Sequence, residues 1–396
     1  VSELTEALCK LILGLGAAFI TVRLTGSTVW GAAAAMAGIT VGTLFAFLYT
    51  RIYAKLKGDG ITAEMLENSP EPQSGADTFK KMILLTLPIA LTSLTVNIPP
   101  MIDALTVKSG LEGLINGGTD LREIYRSVFE NGDIPDLSAF PVLLYGIRGK
   151  AYTVFNLVPA FTSVIGVGAV PAIAAAAARG NTAELKKNIN TVLKTAALIS
   201  LPAACGLIAI GGRITDFLYD TEASAVIGGE MLTLYGFAAL FAGFLVPLGG
   251  ILQALGKQNA VLLNTAAGTA VKLIVNIIAV SVPKINVMGS ALGTVLCFFV
   301  IFLLDIAVLI KAVGFAPDSA NVFLKPLASA AFCGLAARLT VMLGSSRGVT
   351  LLAVFAAALV YAALIIALKT VSESDFPDSD KGKRLTEFCR KHRIIR

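Results

Sequence analysis

Apolar and polar positions segregate into long blocks along this chain instead of alternating. Ten apolar segments lie near 6–22, 29–50, 82–106, 151–178, 189–210, 229–252, 260–281, 287–310, 324–343 and 348–369, separated by charged and turn-forming stretches. Each is long enough to cross about 30 Å of hydrocarbon, which takes roughly 20 helical residues. Hydrocarbon supplies no water to an open backbone, so continuous runs of this length have to be helices, and the alternating pattern of a membrane barrel is absent. The predicted fold class is all-α, a polytopic membrane helix bundle of about ten transmembrane helices.

Two connections are longer than the rest. The first, "AKLKGDGITAEMLENSPEPQSGADTFKK" at 54–81, is charged and rich in turn formers and reads as a flexible cytoplasmic linker. The second, 107–150, contains "DLREIYRSVFENG", where Leu121, Ile124, Tyr125 and Val128 recur at helical spacing and predict a short amphipathic helix at the outer surface. Prolines fall inside the apolar runs: Pro88, Pro99 and Pro100 in the third, Pro159 and Pro171 in the fourth, Pro202 in the fifth and Pro247 in the sixth. Each removes a backbone hydrogen bond and bends its helix. Bent helices are tolerated in any membrane bundle, but four in succession also suit one that flexes around a cavity.

Composition agrees with this reading: 56% of residues are apolar and 15% charged, with a mean hydropathy of +0.79, outside the range of soluble domains. Charge then adds orientation. With the N-terminus cytoplasmic, the inner connections hold Arg51, Lys55, Lys57, Lys80, Lys81, Arg179, Lys186, Lys187, Lys257, Lys311 and Lys325, and a basic tail follows from Lys369 to Arg396. The short outer ones hold only Arg23, Arg213, Lys284 and Arg347. This bias predicts both termini on the cytoplasmic side. The net charge of +6 is therefore mostly topological, though the tail also suits anionic lipid. No basic patch with interleaved aromatics points to nucleic acid.

Candidate chemistry is sparse. The five cysteines have no paired spacing, and His392, the single histidine, lies in the tail, which argues against a His-based metal site or Ser-His-Asp catalysis in the membrane. A Walker-type phosphate loop and a glycine-rich dinucleotide turn are both missing. No enzyme activity, metal or cofactor is expected. The chain opens on Val and enters a helix almost at once, which reads as a start partway through a larger protein.

Polar residues inside the apolar runs are the functional candidates. On the seventh segment Asn264, Thr265, Gly268, Thr269, Lys272 and Asn276 share an arc of roughly 140° at about 100° per residue, opposite a face of Leu, Ala, Val and Ile. An amine at a helix centre costs about 2.5–3.5 kcal/mol even on lenient insertion scales, so Lys272 should face a wet cavity or a counter-charge such as Asp103. Asp103 follows the Pro99–Pro100 break in "NIPPMIDAL", with Asn97 a turn and a half earlier. It suits a cation or a sugar hydroxyl, or an ordinary cap. Arg148 and Lys150, in "YGIRGKAYTVFN", suit a diphosphate at a helix start, or interfacial snorkelling. Lys194, Asp305 and Arg338 lie within about two turns of helix ends and are expected to reach the interface.

The run "VGAVPAIAAAAARGNTAELKKNINTVLKTAALISLPAACGLIAIGGRITDFLY" (167–219) resembles a recurrent segment of the multidrug/oligosaccharidyl-lipid/polysaccharide flippase superfamily. "GILQALGKQNAVLLNTAAGTAVKLIVNIIA" and "INVMGSALGTVLCFF" resemble its Leu-Gln-x-Leu-Gly-Lys turn, Lys-x-x-x-Asn helix and Gly-x-Ala-x-x-Thr helix start. "LPIALTSLTVNIPPMID" and "LLYGIRGKAYTVFNLVPAF" look most like the stage V sporulation protein B group, which is similar to bacterial lipid II flippases. The resemblance covers residues 1 to about 370 and implies two lobes, with the first segment matching the family's fifth helix and the first four helices absent. It implies a partial first lobe at 1–53, the linker at 54–81, a complete six-helix second lobe at 82–312 with the outer loop 107–150, two extra C-terminal helices at 313–369 and a basic tail at 370–396.

By that resemblance the expected function is export of an undecaprenyl-diphosphate-linked saccharide or peptidoglycan precursor, across a bacterial plasma membrane by alternating access. Lys272, Arg148 and Lys150 would attract diphosphate, and Asn97, Asn156, Asn264 and Asn276 would contact sugar or peptide. Partners would be the lipid-linked precursor, membrane lipid and cell-wall synthesis enzymes. Two rivals stay open: a cation-coupled multidrug exporter with Asp103 as ion site, and a non-transporting scaffold. A glycosyltransferase using the acids of the 107–150 loop is the weakest alternative, since that loop has no His and no metal-type acidic pair.

Overall fold

Every apolar segment of the chain is helical, as a backbone without access to water requires. The computed structural model describes residues 2–57, 74–129, 134–219 and 221–370, with some side chains of the third segment, Asn97 and Pro88 among them, outside the described set. The inner linker at 58–73 and the basic tail from 371, with Cys389 and His392, also lie outside it. Nine of the described helices are long and apolar enough to cross a membrane. The 82–106 segment falls within a further helix, Gly75–Asn116.

The chain divides into two compact units, Val1–Phe79 and Lys80–Arg396. The first is a helical hairpin of α1 (Ser2–Thr25) and α2 (Thr28–Lys57), which pack along each other. The second runs from α3 (Gly75–Asn116) through a one-turn α4 (Leu121–Ile124) to α5 (Phe140–Ala178), α6 (Thr182–Leu218), α7 (Glu222–Ala254), α8 (Gln258–Val280) and α9 (Met288–Val313). A π-helical turn at Ala320–Leu324 then leads into α10 (Lys325–Val341) and α11 (Arg347–Ala367). Helix α7 is the hub, packing on α5, α6 and α9, while α8 lies against α9 and α10 lies against α6.

The segment 121–128 departs from the sequence expectation. Only one α-helical turn forms, followed by a 3-10 turn at Arg126–Val128. Leu121, Tyr125 and Val128 are buried in a core with Phe140, Leu144 and Ile147. Asp120 caps the turn by accepting from the Arg122 N–H at 2.9 Å. The chain then leaves helical geometry at Tyr125 (φ −101°, ψ 13°), whose hydroxyl donates to Asn286 in the α8–α9 connection. A helix continuing past Tyr125 would forfeit that bond, so the apolar spacing marks a plug and not a surface helix.

Helix α6 carries two backbone irregularities, and the C-terminal hairpin meets both. Pro202 has no N–H for the carbonyl of Leu198, four residues earlier. The Tyr361 hydroxyl of α11 donates to that carbonyl at 2.9 Å. Farther along, Ile210 leaves helical geometry (φ −133°, ψ 23°). Arg338 of α10 donates to the adjacent Ala209 carbonyl at 3.2 Å, and Ile210 packs with Cys333, Ala337 and Ala357. Gly334 allows this approach, because a Cβ there would lie 3.0 Å from the Cys205 carbonyl. The guanidinium of Arg338 thus serves a backbone group in addition to reaching the surface.

Replacing Tyr361 with Phe leaves the Leu198 carbonyl without its donor and should cost about 1–2 kcal/mol, within the range for interhelical bonds in membranes. A lowered thermal-unfolding midpoint for the purified protein, against no change for Tyr49→Phe, is the expected result.

Candidate functional site

Helix α8 presents the polar arc that its sequence predicts, and all six of its members are buried. Lys272 and Asn276, one turn apart, point at α3 and α9. The Lys272 ammonium lies 2.9 Å from Asp103 Oδ1 and donates to Thr294 Oγ1 at 2.6 Å. The Asn276 amide donates to Asp103 Oδ1 at 2.7 Å and to Thr106 Oγ1 at 3.0 Å. Both hydroxyls pass their own protons back to the carbonyl four residues earlier, Ser290 for Thr294 and Ile102 for Thr106. Each therefore offers a lone pair to the cluster. Gly293 of α9 leaves room for the Asn276 amide oxygen, which a Cβ at 293 would strike.

The other oxygen of Asp103 accepts from Arg148 of α5 in an ion pair buried on both sides. The Arg148 guanidinium also lies over the Tyr152 ring at 4.8 Å and the Tyr145 ring at 5.7 Å. Four helices, α3, α5, α8 and α9, are thereby pinned through one carboxylate. With both bases protonated the cluster holds one acid and two cations, an uncompensated positive charge in a buried site. Its capacity for hydrogen bonding is not exhausted, since Arg148 Nε and Asn276 Oδ1 have no partner among the described residues.

Lys150 goes elsewhere. Two residues along a helix turn the side chain by about 200°, so it points to α7, donates to Ser224 Oγ at 2.9 Å and lies 5.1 Å from the Tyr219 ring centre. Arg148 and Lys150 thus do not converge on one ligand. Asn264 donates to Asp305 Oδ1 of α9 at 2.8 Å. Asp305 is 1% exposed and does not reach the interface, which corrects the sequence expectation. Lys194 is likewise buried.

A cavity of about 610 Å³ opens among α3, α5, α7, α8 and α9. It occupies the half of the bundle near the α7–α8 turn, as shown by Gln253, Val261 and Thr265 in its wall. Most of the lining is apolar, with Pro99, Pro100, Pro159 and Pro171 along it, and Asn156 and Asp305 add polar points. Tyr152 also lines this space, so Arg148 and its partners lie behind an aromatic wall. Of the seven candidates whose side chains are described, only Asn156 faces the cavity itself. Asn264 stands one bond behind it through Asp305, and the Asn97 side chain is not among those described. Gln253 escaped the sequence reading, and Asp305 was read as interfacial, because positions near helix ends gave no periodic signal.

The MatE family model matches residues 148–278. The uncharacterized membrane protein YabM of Bacillus subtilis is 26% identical over 298 residues, covering 75% of this chain and 50% of that protein. The lipid II flippase MurJ of the same organism is 22% identical over 322 residues, 80% of this chain and 55% of that protein. The chain fits a flippase-like family of the multidrug/oligosaccharidyl-lipid/polysaccharide superfamily. In fold this MATE-like chain is similar to lipid II flippase MurJ in an inward closed conformation, with a TM-score of 0.64 and 17% identity over 92% of this chain and 67% of that one. The chain spans about half the length of the curated relatives it matches. The matched region begins at Arg148 and contains Lys272 and Asn276, but their shared partner Asp103 lies before it.

The charge count yields a sharp expectation. Asp103→Asn strands two buried cations and should destabilise the protein by about 3–5 kcal/mol, whereas Lys272→Met leaves a neutral Asp103–Arg148 pair and should cost much less. Thermal unfolding of both variants in the same detergent checks the order, and equal losses would show that the charge imbalance is unimportant.

Proposed function

We propose that the protein is a flippase of the bacterial plasma membrane that exports an undecaprenyl-diphosphate-linked saccharide or peptidoglycan precursor by alternating access. The observation that carries this reading is the intramembrane cavity, walled by helices that prolines interrupt and lined by few polar groups. Such a space suits an amphipathic substrate whose headgroup crosses while its tail stays in lipid. The lipid II flippase activity named for one relative and for the matched structure supports it.

In this reading Asn156, Gln253 and Thr265 offer hydrogen bonds to sugar or peptide. Arg148 and Lys272 reach a diphosphate only by exchanging Asp103 for it, and Asn276 moves with them. Lys150 contributes at the outer end, Asn97 is a further contact for sugar or peptide, and Asn264 acts through Asp305. Both termini are cytoplasmic, as the Lys and Arg bias requires, which puts the cavity in the cytoplasmic half. Residues 82–312 form the working lobe. The drug-exporter reading needs Asp103 free for an external cation, and two of the chain's own cations already hold it.

Expression in a bacterium depleted of its lipid II flippase should restore growth and bring labelled precursor to the outer surface. Asn156→Phe, which fills the cavity, should lower that export by about tenfold, a loss of about 1.4 kcal/mol. Cation-dependent dye efflux without rescue would sink the proposal, and rescue unchanged by Asn156→Phe would remove the cavity from the path.

A further inference from the structure

Two described acids are buried in the helices, and their surroundings are opposite. Asp103 has two cations and an amide. Asp305, on α9, has one neutral donor, the Asn264 amide at 2.8 Å, and no ion pair among the described residues reaches it. Yet Asp305 lines the cavity, and Asp103 does not.

Among the described residues that line the cavity with Asp305, none carries a charge. From α8 comes Thr265, with Asn264 bonded to Asp305 behind it, from α7 Gln253, and from α5 Val170 and Pro171. The Thr265 hydroxyl is committed to the Val261 carbonyl at 2.8 Å. On α9 itself Lys311 is exposed, and Lys257, at the start of α8, is seven residues before Asn264. A bare carboxylate in hydrocarbon is prohibitively costly, so it must be neutralised by a cation or a proton. A sodium ion would need several oxygen ligands, and among the described residues the group bonded to the carboxylate is the Asn264 amide, which presents its N–H and not its oxygen. A proton needs only the carboxylate.

We propose that Asp305 is a proton-binding site of the cavity. With the cavity dry the carboxyl holds its proton and Asn264 anchors its other oxygen. When water fills the cavity the O–H bond breaks heterolytically, the proton passes to water, and the carboxylate stays in place with its charge hydrated. Uptake and release at this position tie a proton to the hydration state of the cavity. Exchange of this proton needs no transported substrate, so it can be tested apart from the flippase reading.

The test is infrared difference spectroscopy of the purified full chain in lipid nanodiscs at neutral pH, in potassium buffer. A protonated-carboxyl C=O band that shifts in deuterium oxide is expected. It should be lost in Asp305→Asn and kept in Asp103→Asn, because Asp103 is held in ion pairs with Arg148 and Lys272. Asn264→Ala, which keeps the acid and removes its donor, should retain the band at a changed frequency, so that assignment does not rest on one variant. Thermal unfolding establishes that each variant is folded. A band that survives in folded Asp305→Asn overturns the proposal, as does the absence of any such band in the unmodified protein. Loss of the band when sodium replaces potassium at constant pH also overturns it, by assigning the site to a metal cation.

Discussion

Water is missing from the space these helices occupy, and nearly every feature of the bundle answers that constraint. A backbone carbonyl or an ionised side chain in hydrocarbon costs several kcal/mol unless another group of the protein takes the place of solvent. Helices satisfy most of the backbone internally. Where α6 cannot do so, at Pro202, the Tyr361 hydroxyl supplies the missing donor from α11. The C-terminal hairpin is thus tied to an irregularity in the core of the second unit, and its packing at the Ile210 bend adds apolar contact.

The same constraint makes Asp103 the junction of four helices. Its carboxylate accepts from Arg148, Lys272 and Asn276, and these residues come from two other helices, with Thr294 on a third holding the Lys272 ammonium. A charged cluster of this kind is directional, unlike apolar packing, so it specifies the mutual rotation of α3, α5, α8 and α9. It adjoins the cavity from behind Tyr152, whose ring lines that space and lies under the Arg148 guanidinium. The cavity has mostly apolar walls and one acid of its own, Asp305. The second unit therefore sets an ion-paired cluster beside a cavity walled by proline-containing helices.

Much of the fold was legible in the sequence. Apolar block lengths located the helices to within a few residues at most ends, because the hydrocarbon thickness sets a minimum length whatever the tertiary packing. The helices ran past the apolar blocks where capping or burial continued them. For α5 this shift was eleven residues, since Phe140, Leu144 and Ile147 are core residues in front of the basic pair. The stretch 121–128 showed the limit of periodicity. Its apolar spacing was real, but a bond from Tyr125 to Asn286, 161 residues away, decided that the helix would stop.

The sequence by itself determined that this is a bundle of membrane helices, that α8 has one polar face, and that Lys272 needs a counter-charge or a wet cavity. Those conclusions depend on composition and on the 3.6-residue period, which are local. Tertiary structure alone decided between the two answers for Lys272. It also turned Arg148 and Lys150 to different neighbours and left Asp305 facing the cavity with only an amide for company. Partner choice depends on which helices adjoin and how each is rotated. Contacts between residues up to 173 positions apart set that rotation, and no local pattern carries it.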